Sequence, residues 1–314
     1  MELRPLLDVD LREVLAPINR AARGEFLPAL RTAAQLRERV SCGVLDLTLS
    51  RACVVGGVLG AACLVEHVAD EPVAHIEALA SDPLAQQRGA VRGLIDAVLT
   101  AAAAAGVTEL SILVSETDST LGSTLQSAGF SRRQAVERYA LSGPPLAQSL
   151  PLEVEAGEPT PAARSMARPA TVAEVMPLLA TADPVIPLFS QRPSVLQRLS
   201  ARLSGRLLFH ANESDGASTA RAGVVFDRER KSLVALGGDR SSVAALIALV
   251  ATRHGISYLD ALPDQHPAAA ALKDVGFVRS AVRVELICDP RSVVAARERG
   301  AAGKSGRSTA EGPR

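Results

Sequence analysis

Apolar residues at Leu94, Ile95, Val98, Leu99 and Ala102 recur with the period of one helix face and stop at Gly106, a residue suited to ending a helix. The stretch Glu109 to Val114 that follows predicts a strand. The pattern returns further along the chain: Leu246, Leu249 and Val250 with Arg253 predict a helix, Gly255 ends it, and Ile256 to Leu262 predicts the next strand. Each run closes on Gly-Phe, at Gly129-Phe130 and Gly276-Phe277, and a further strand is expected after each, Val136 to Leu141 and Ser280 to Ile287. The two runs also open alike. Leu3-Arg4-Pro5 before Asp8-Val9-Asp10 is echoed by Ala167-Arg168-Pro169 before Thr171-Val172-Ala173, a short strand running into a capped helix. A mixed α/β unit present in two copies accounts for this order.

From Ser142 to Pro169, Pro144, Pro145, Pro151, Pro159, Pro161 and Pro169 stand among few aromatic or branched residues, a composition that breaks regular structure. We therefore expect domains over 1–145 and 165–289, joined by a proline-rich linker over 146–164. From Pro290 onward, Arg291, Arg297, Arg299, Lys304, Arg307 and Arg314 stand among Ala, Gly and Ser, so 290–314 reads as a disordered basic tail. A length of 314 residues suits two domains, and 47% hydrophobic with 22% charged residues is a globular composition. The 34 basic and 34 acidic residues cancel, Trp is absent and aromatics make up 3%, which argues against a nucleic-acid partner and an anionic membrane surface. Apolar runs stop well short of the ~20 residues of a membrane span. The first ten residues carry no signal pattern, and the four cysteines show no CxxC spacing, so a cytoplasmic protein with reduced thiols is expected. Cys53 and Cys63 read as small buried hydrophobes, and His210, His254 and the cysteines show no metal-ligand spacing.

The stretch that carries chemistry runs from His75 to Arg92. A strand, His75 to Ala80, is followed by the turn Ser81-Asp82-Pro83 and by Gln86-Gln87-Arg88-Gly89-Ala90-Val91-Arg92, which leads into the helix. A glycine loop at a helix start presents unpaired backbone N–H groups to one point, an arrangement suited to a pyrophosphate, and Arg88 and Arg92 add positive charge. His75 and Glu77 are two positions apart on one strand and so share a face.

These residues resemble the GNAT superfamily of acetyl-CoA-dependent acyltransferases. That pattern is Gln/Arg-x-x-Gly-x-Gly/Ala after the fourth strand, then a helix, a strand, an Asn and a closing Gly-Phe. Gln86 and Gly89 fall on its first two fixed positions, Leu94 on the helix leucine, and Asp118, eleven residues before Gly129, on the Asn position. Val91 stands where the family has Gly or Ala, Asp118 where it has Asn, and Leu125 where many members carry the Tyr that protonates the departing coenzyme A. The resemblance covers Leu3 to about Leu141 and, in weaker form, Met166 to Ile287, where the loop before the helix is about four residues shorter.

The resemblance implies two tandem GNAT-like α/β domains, each a mixed, mostly antiparallel sheet flanked by helices, with acetyl-CoA in the first copy and a degenerate second copy. It implies a cofactor site at Leu79, Ala80, Ser81, Gln86, Gln87, Arg88, Gly89, Ala90, Val91, Arg92 and Asp118. Backbone N–H groups near Leu79 and Ala80 would polarise the thioester, and Glu77 and His75 are the candidates to take a proton from the attacking amine. Glu66 or His67 on the preceding strand is expected to line the same cleft, whereas Ser123, Thr124 and Tyr139 read as capping or packing residues. The acceptor is a small-molecule or peptide amine that the sequence does not identify, and oligomerisation stays open. Three function classes follow: an N-acyltransferase, a non-catalytic protein that binds acyl-CoA, and a scaffold without ligand.

Overall fold

A computed structural model describes residues 1–22, 32–69, 71–143, 167–179, 188–202, 207–213 and 220–305. The expected linker over 146–164 lies outside them. The chain forms two compact units, and the partition is crosswise: unit 1 holds Met1–Arg133 and Glu285–Arg314, unit 2 holds Gln134–Val284.

In unit 1, β1 (Glu2–Pro5), β2 (Arg51–Val55), β3 (Val58–His67) and β4 (Val73–Ser81) pair antiparallel in that order, and β4 pairs parallel with β5 (Glu109–Ser115). The β2–β3 connection is a two-residue turn, Gly56-Gly57, with φ of +61° and +82°; positive φ at both positions is what a tight hairpin between twisted strands requires. The helices are α1 (Leu11–Ala22), α2 (Ala33–Ser41), α3 (Pro83–Gln87), α4 (Ala90–Ala104) and α5 (Ser119–Ser127). A capping box starts α2: the Thr32 hydroxyl accepts from the Gln35 N–H and the Gln35 side chain accepts from the Thr32 N–H. Leu6, Val14, Ile18 and Leu36 bury against Ala52, Ala62, Leu64 and Ala80 of the sheet, so α1 and α2 cover the sheet face that carries the small residues of β3 and β4.

In unit 2, β6 (Ser131–Leu141) pairs antiparallel with β11 (Tyr258–Pro263), which pairs parallel with β10 (Ser232–Gly238). Antiparallel pairing continues from β10 to β9 (Ala220–Asp227), β8 (Leu207–Glu213) and β7 (Ala167–Pro169). The helices are α6 (Val172–Leu179), α7 (Pro193–Arg202), α8 (Arg240–His254) and α9 (Ala268–Asp274). Its core gathers Phe226, Leu246, Ile247, Val250, Leu272 and Phe277 around Tyr139.

The crosswise partition comes from two strands. Residues from Gln134 of β6, read from the sequence as the close of the first copy, belong to unit 2; the last residues of β12 (Phe277–Cys288), from Glu285, belong to unit 1. Arg133 ties that end in place, donating to both oxygens of Glu285 and pairing with Glu109 of β5 at 2.8 Å. A mostly antiparallel mixed sheet with flanking helices is what the sequence reading anticipates.

The tail is a correction. Pro290–Ser305 forms helix α10 in place of the expected disorder, and only 306–314 lies outside the described residues. Asp289 starts the helix by accepting from the Arg291 N–H at 3.0 Å and the Ser292 hydroxyl at 2.6 Å, and Pro290 occupies the first turn. Val293 sits so close to Gly129 that a Cβ there would fall 2.7 Å from its Cγ2. The arginines that suggested a solvated tail donate instead to backbone carbonyls where two helices end: Arg291 to Gly106 at 2.6 Å and Arg297 to Ala128 at 3.3 Å. Arg297 also pairs with Asp96 of α4 at 2.9 Å.

Candidate active site

The parallel pairing of β4 with β5 runs from Val73↔Glu109 to Ile76↔Ile112 and stops there, although β4 continues to Ser81 and β5 to Ser115. Past Ile76 and Ile112 the two strands run on without pairing to each other. At the same level the register of β4 with β3 slips, from Val65↔Ile76 to Leu64↔Ala78, so Glu77 is the extra residue of a β-bulge. A bulge breaks the ladder and re-aims a side chain. Leu79, Ala80 and Ser81 lie beyond it, paired on one edge with Cys63, Ala62 and Ala61 of β3.

His75 and Glu77 meet as expected, with Nε2 4.0 Å from the Glu77 carboxylate. Ser111 of β5 fixes the ring, its hydroxyl 2.9 Å from His75 Nδ1 and 3.4 Å from the Ala74 carbonyl. Arg39 of α2 supplies a cation that sequence reading missed: it pairs with Glu66, which is 1% exposed. Burial works against the Arg39 charge, but the carboxylates of Glu66 and Glu77 outweigh it and raise its pKa. Glu66 therefore does reach this cluster, held in an ion pair. His67 does not; its ring lies 3.2 Å from Asp46 and 3.0 Å from the Glu71 carbonyl. Against the cost of its burial, the hydrogen bonds from His67, Thr48 and Leu49 bring Asp46 down to about 2.

The loop after β4 is shaped by its caps. The Asp82 side chain accepts from the Ala85 N–H at 2.8 Å and starts α3 with Pro83 in its first turn. Gln86, Gln87 and Arg88 are exposed. Gly89 then takes φ +75° and begins α4 with no side-chain cap, and a Cβ there would meet nothing within 4 Å. The N–H groups of Ala90, Val91 and Arg92 thus open a helix whose first residue offers them no acceptor side chain. Arg92 itself is engaged with Asp96 at 3.1 Å and with the Ser127 hydroxyl at 2.7 Å.

Five positions noted in the sequence are committed elsewhere. Asp118 caps α5, accepting from the Leu121 N–H at 3.0 Å. Leu125 is fully buried, and the hydroxyls of Ser123 and Thr124 bond to the Thr120 carbonyl. Tyr139 belongs to unit 2, where burial and the adjacent Glu137 carboxylate raise its pKa. The four cysteines are buried and form no disulfide, and burial pushes the Cys63 and Cys288 thiols up to about 12. A cavity of about 460 Å³ in unit 1 is lined by Glu2, Arg4, Asp10, Glu13 and Gly57 and includes none of the residues above. Among the described residues no group of three or more His, Cys, Asp or Glu could hold a metal, and no helix is long and apolar enough to cross a membrane.

No family model and no curated protein sequence matches the chain. Solved structures do. A tandem GNAT protein from the clavulanic acid biosynthesis pathway aligns over 92% of this chain and 98% of its own, with a TM-score of 0.64 and 16% identity. A GCN5-related N-acetyltransferase from Sphaerobacter thermophilus aligns over 92% and 96% with a TM-score of 0.63 and 14% identity. A putative acetyltransferase from Pyrococcus horikoshii aligns over 92% and 89% with a TM-score of 0.62 and 11% identity. The fold is that of the GNAT acetyltransferases, and the likeness extends over nearly the whole chain.

Proposed function

We propose that unit 1 is an N-acyltransferase that moves an acetyl or related acyl group from acetyl-CoA to an amine. The observation that carries this reading is the bulge at Glu77 where β4 leaves β5, with an uncapped helix start at Gly89 on the same chain segment. A bulged carboxylate beside a cleft and a helix start that favours an anion are the two things acyl transfer from a diphosphate-bearing donor asks of a protein. The residues fit the group: the positive φ of Gly89 and the open space in front of it let a pyrophosphate approach the N–H groups of Ala90, Val91 and Arg92, with Arg88 beside them.

Bound acetyl-CoA supplies the thioester carbonyl that the amine attacks. Glu77 takes a proton from the amine nitrogen, and His75, oriented by Ser111, shares that proton. Arg39 pairs with Glu66 and also feels the Glu77 carboxylate, and Glu77 is the carboxylate proposed to meet the acceptor. The part of β4 past its last pair with β5 offers backbone groups to the carbonyl oxygen as negative charge grows there. Leu125 has no hydroxyl to return a proton to the leaving thiol, so water serves. This same residue favours a second reading, a unit that binds acyl-CoA without turning it over. A cytoplasmic setting with reduced thiols is part of the same proposal, supported by four cysteines without CxxC spacing.

The test is a calorimetric titration with acetyl-CoA followed by a thiol-release assay over a panel of amines. Micromolar binding with amine-dependent thiol release, lost about 10²-fold or more in Glu77→Gln, is expected. Binding without release under any amine would support the second reading, and no binding at millimolar acetyl-CoA would end both.

A further inference from the structure

Unit 2 repeats the device of β4 and β5. Parallel pairing of β10 with β11 is confined to Ser232↔Tyr258 and Leu233↔Leu259, although β10 runs on to Gly238 and β11 to Pro263. The register of β10 with β9 jumps from Leu233↔Phe226 to Ala235↔Val225, which leaves Val234 as the extra residue. Val234 thus holds the place in unit 2 that Glu77 holds in unit 1. The gap between the parting strands is bridged by Gln191, the last residue of a 3-10 turn, Phe189–Gln191. Its Nε2 donates to the Ala261 carbonyl of β11 at 3.0 Å and to the Val234 carbonyl of β10 at 3.4 Å, while its Oε1 accepts from the Leu188 N–H at 3.4 Å. Carbonyls only accept, so the amide nitrogen must be the atom that faces the strands.

We infer that the split between β10 and β11 is an amide-binding groove whose resident ligand is the chain's own Gln191 carboxamide. Two carbonyls on diverging strands can be satisfied together by one N–H₂ group, which makes a primary amide the matching chemistry. The positions around the groove are filled from within as well. A Cβ on Gly237 would fall 2.2 Å from the Leu178 carbonyl oxygen, so the end of α6 lies directly on β10. The start of α8 is taken by Asp239, which accepts from the Ser242 N–H at 3.0 Å and the Ser241 hydroxyl at 2.8 Å. A carboxylate at that helix start repels an incoming phosphate, where Gly89 leaves α4 open. The inference stands on unit 2 alone and does not depend on acyl transfer by unit 1.

The chain itself provides the reporter. It has no Trp and two Tyr, Tyr139 and Tyr258, both in unit 2, so tyrosine near-UV circular dichroism follows unit 2 only. Gln191→Ala in the full chain should lower the thermal midpoint of that signal by roughly 3 to 8 °C. Gln191→Glu, the same size with oxygens facing both carbonyls, should lower it further at pH 7. Acetamide should recover part of the loss in Gln191→Ala relative to the unmutated protein, and sodium acetate at the same concentration should not. Should Gln191→Ala be isolated unfolded, refolding from urea with acetamide or acetate is the comparison, and return of the tyrosine signal with acetamide alone supports the groove. A midpoint unchanged in Gln191→Ala, or acetamide and acetate acting alike on the variant, overturns it.

Discussion

Arg133 offers the sharpest test of the crosswise assembly. Its side chain is 10% exposed and lies between Glu109 of β5 and Glu285 of β12, and the Glu285 side chain is 1% exposed. Arg133→Met keeps the approximate volume and withdraws the charge. Glu285 then loses a guanidinium that donated to both its oxygens, and stranding a buried carboxylate in this way costs about 3–5 kcal/mol. With a urea slope of about 2 kcal/mol/M, the midpoint of unit 1 should fall by about 2 M. Arg133→Met with Glu285→Met replaces the pair by apolar side chains, and Glu109, which is 27% exposed, can be hydrated; the double variant should return to within ~1 kcal/mol of the parent. Urea unfolding followed by far-UV circular dichroism reads both units, whereas the tyrosine signal reads unit 2 and should move less. A single variant whose far-UV midpoint falls by less than about 0.5 M, or a double variant no better than the single, would refute the reasoning.

Three further outcomes are expected. Arg88→Glu should weaken acetyl-CoA binding in a calorimetric titration while Arg240→Glu should not, because Arg88 is exposed beside the open start of α4 and Arg240 is held at 2.7 Å by Asp274 in unit 2. Val91→Gly should tighten binding roughly two- to thirty-fold, the gain of one hydrogen bond to a charged oxygen less the cost of glycine in the first turn; an unchanged micromolar affinity would show that Val91 does not crowd the cofactor. Acid should weaken unit 2: burial lowers the pKa of His210 and His254 and brings His266 to about 4, so these rings fold neutral. Their contribution is full above the unfolded value of 6.5 and is lost as pH falls from there toward 4, so tyrosine-detected melts should drop across that window and drop less in His266→Gln.

Much of the fold was legible because it is written in local patterns. The helix period through Leu94, Val98 and Ala102, the terminator Gly106 and the strand after it need only neighbours along the chain, and α4 and β5 appear there. The departures have one physical source, pairing between residues far apart in sequence. That β6 joins β11, and that β12 ends in unit 1, depends on ladders whose partners no local window contains. Helix α10 escaped notice because alanine, glycine and arginine give it no apolar stripe, and its anchors are arginines on the carbonyls of Gly106 and Ala128. The site divides the same way. His75 and Glu77 follow from strand alternation, but Arg39 reaches Glu66 from 27 residues away and Ser111 reaches His75 from 36.

The bulges show why resemblance alone stops short of function. A bulge is one residue of surplus in a strand, and nothing in His75-Ile76-Glu77-Ala78 or in Leu233-Val234-Ala235 announces it. Yet the identity of that surplus residue separates the units: a carboxylate in unit 1, a valine in unit 2. Each difference nearby points the same way, since unit 1 begins α4 with a bare glycine and unit 2 begins α8 with a capping aspartate, and Gln191 spans the gap in unit 2. An exchange of the bulged residues therefore tests whether position alone confers the chemistry. Val234→Glu should create no activity, because the groove, the helix start and the strand end beside it are already filled, whereas Glu77→Val should abolish amine-dependent thiol release and leave acetyl-CoA affinity within about three-fold, since the proposed mechanism gives the carboxylate to the acceptor and the donor to backbone N–H groups.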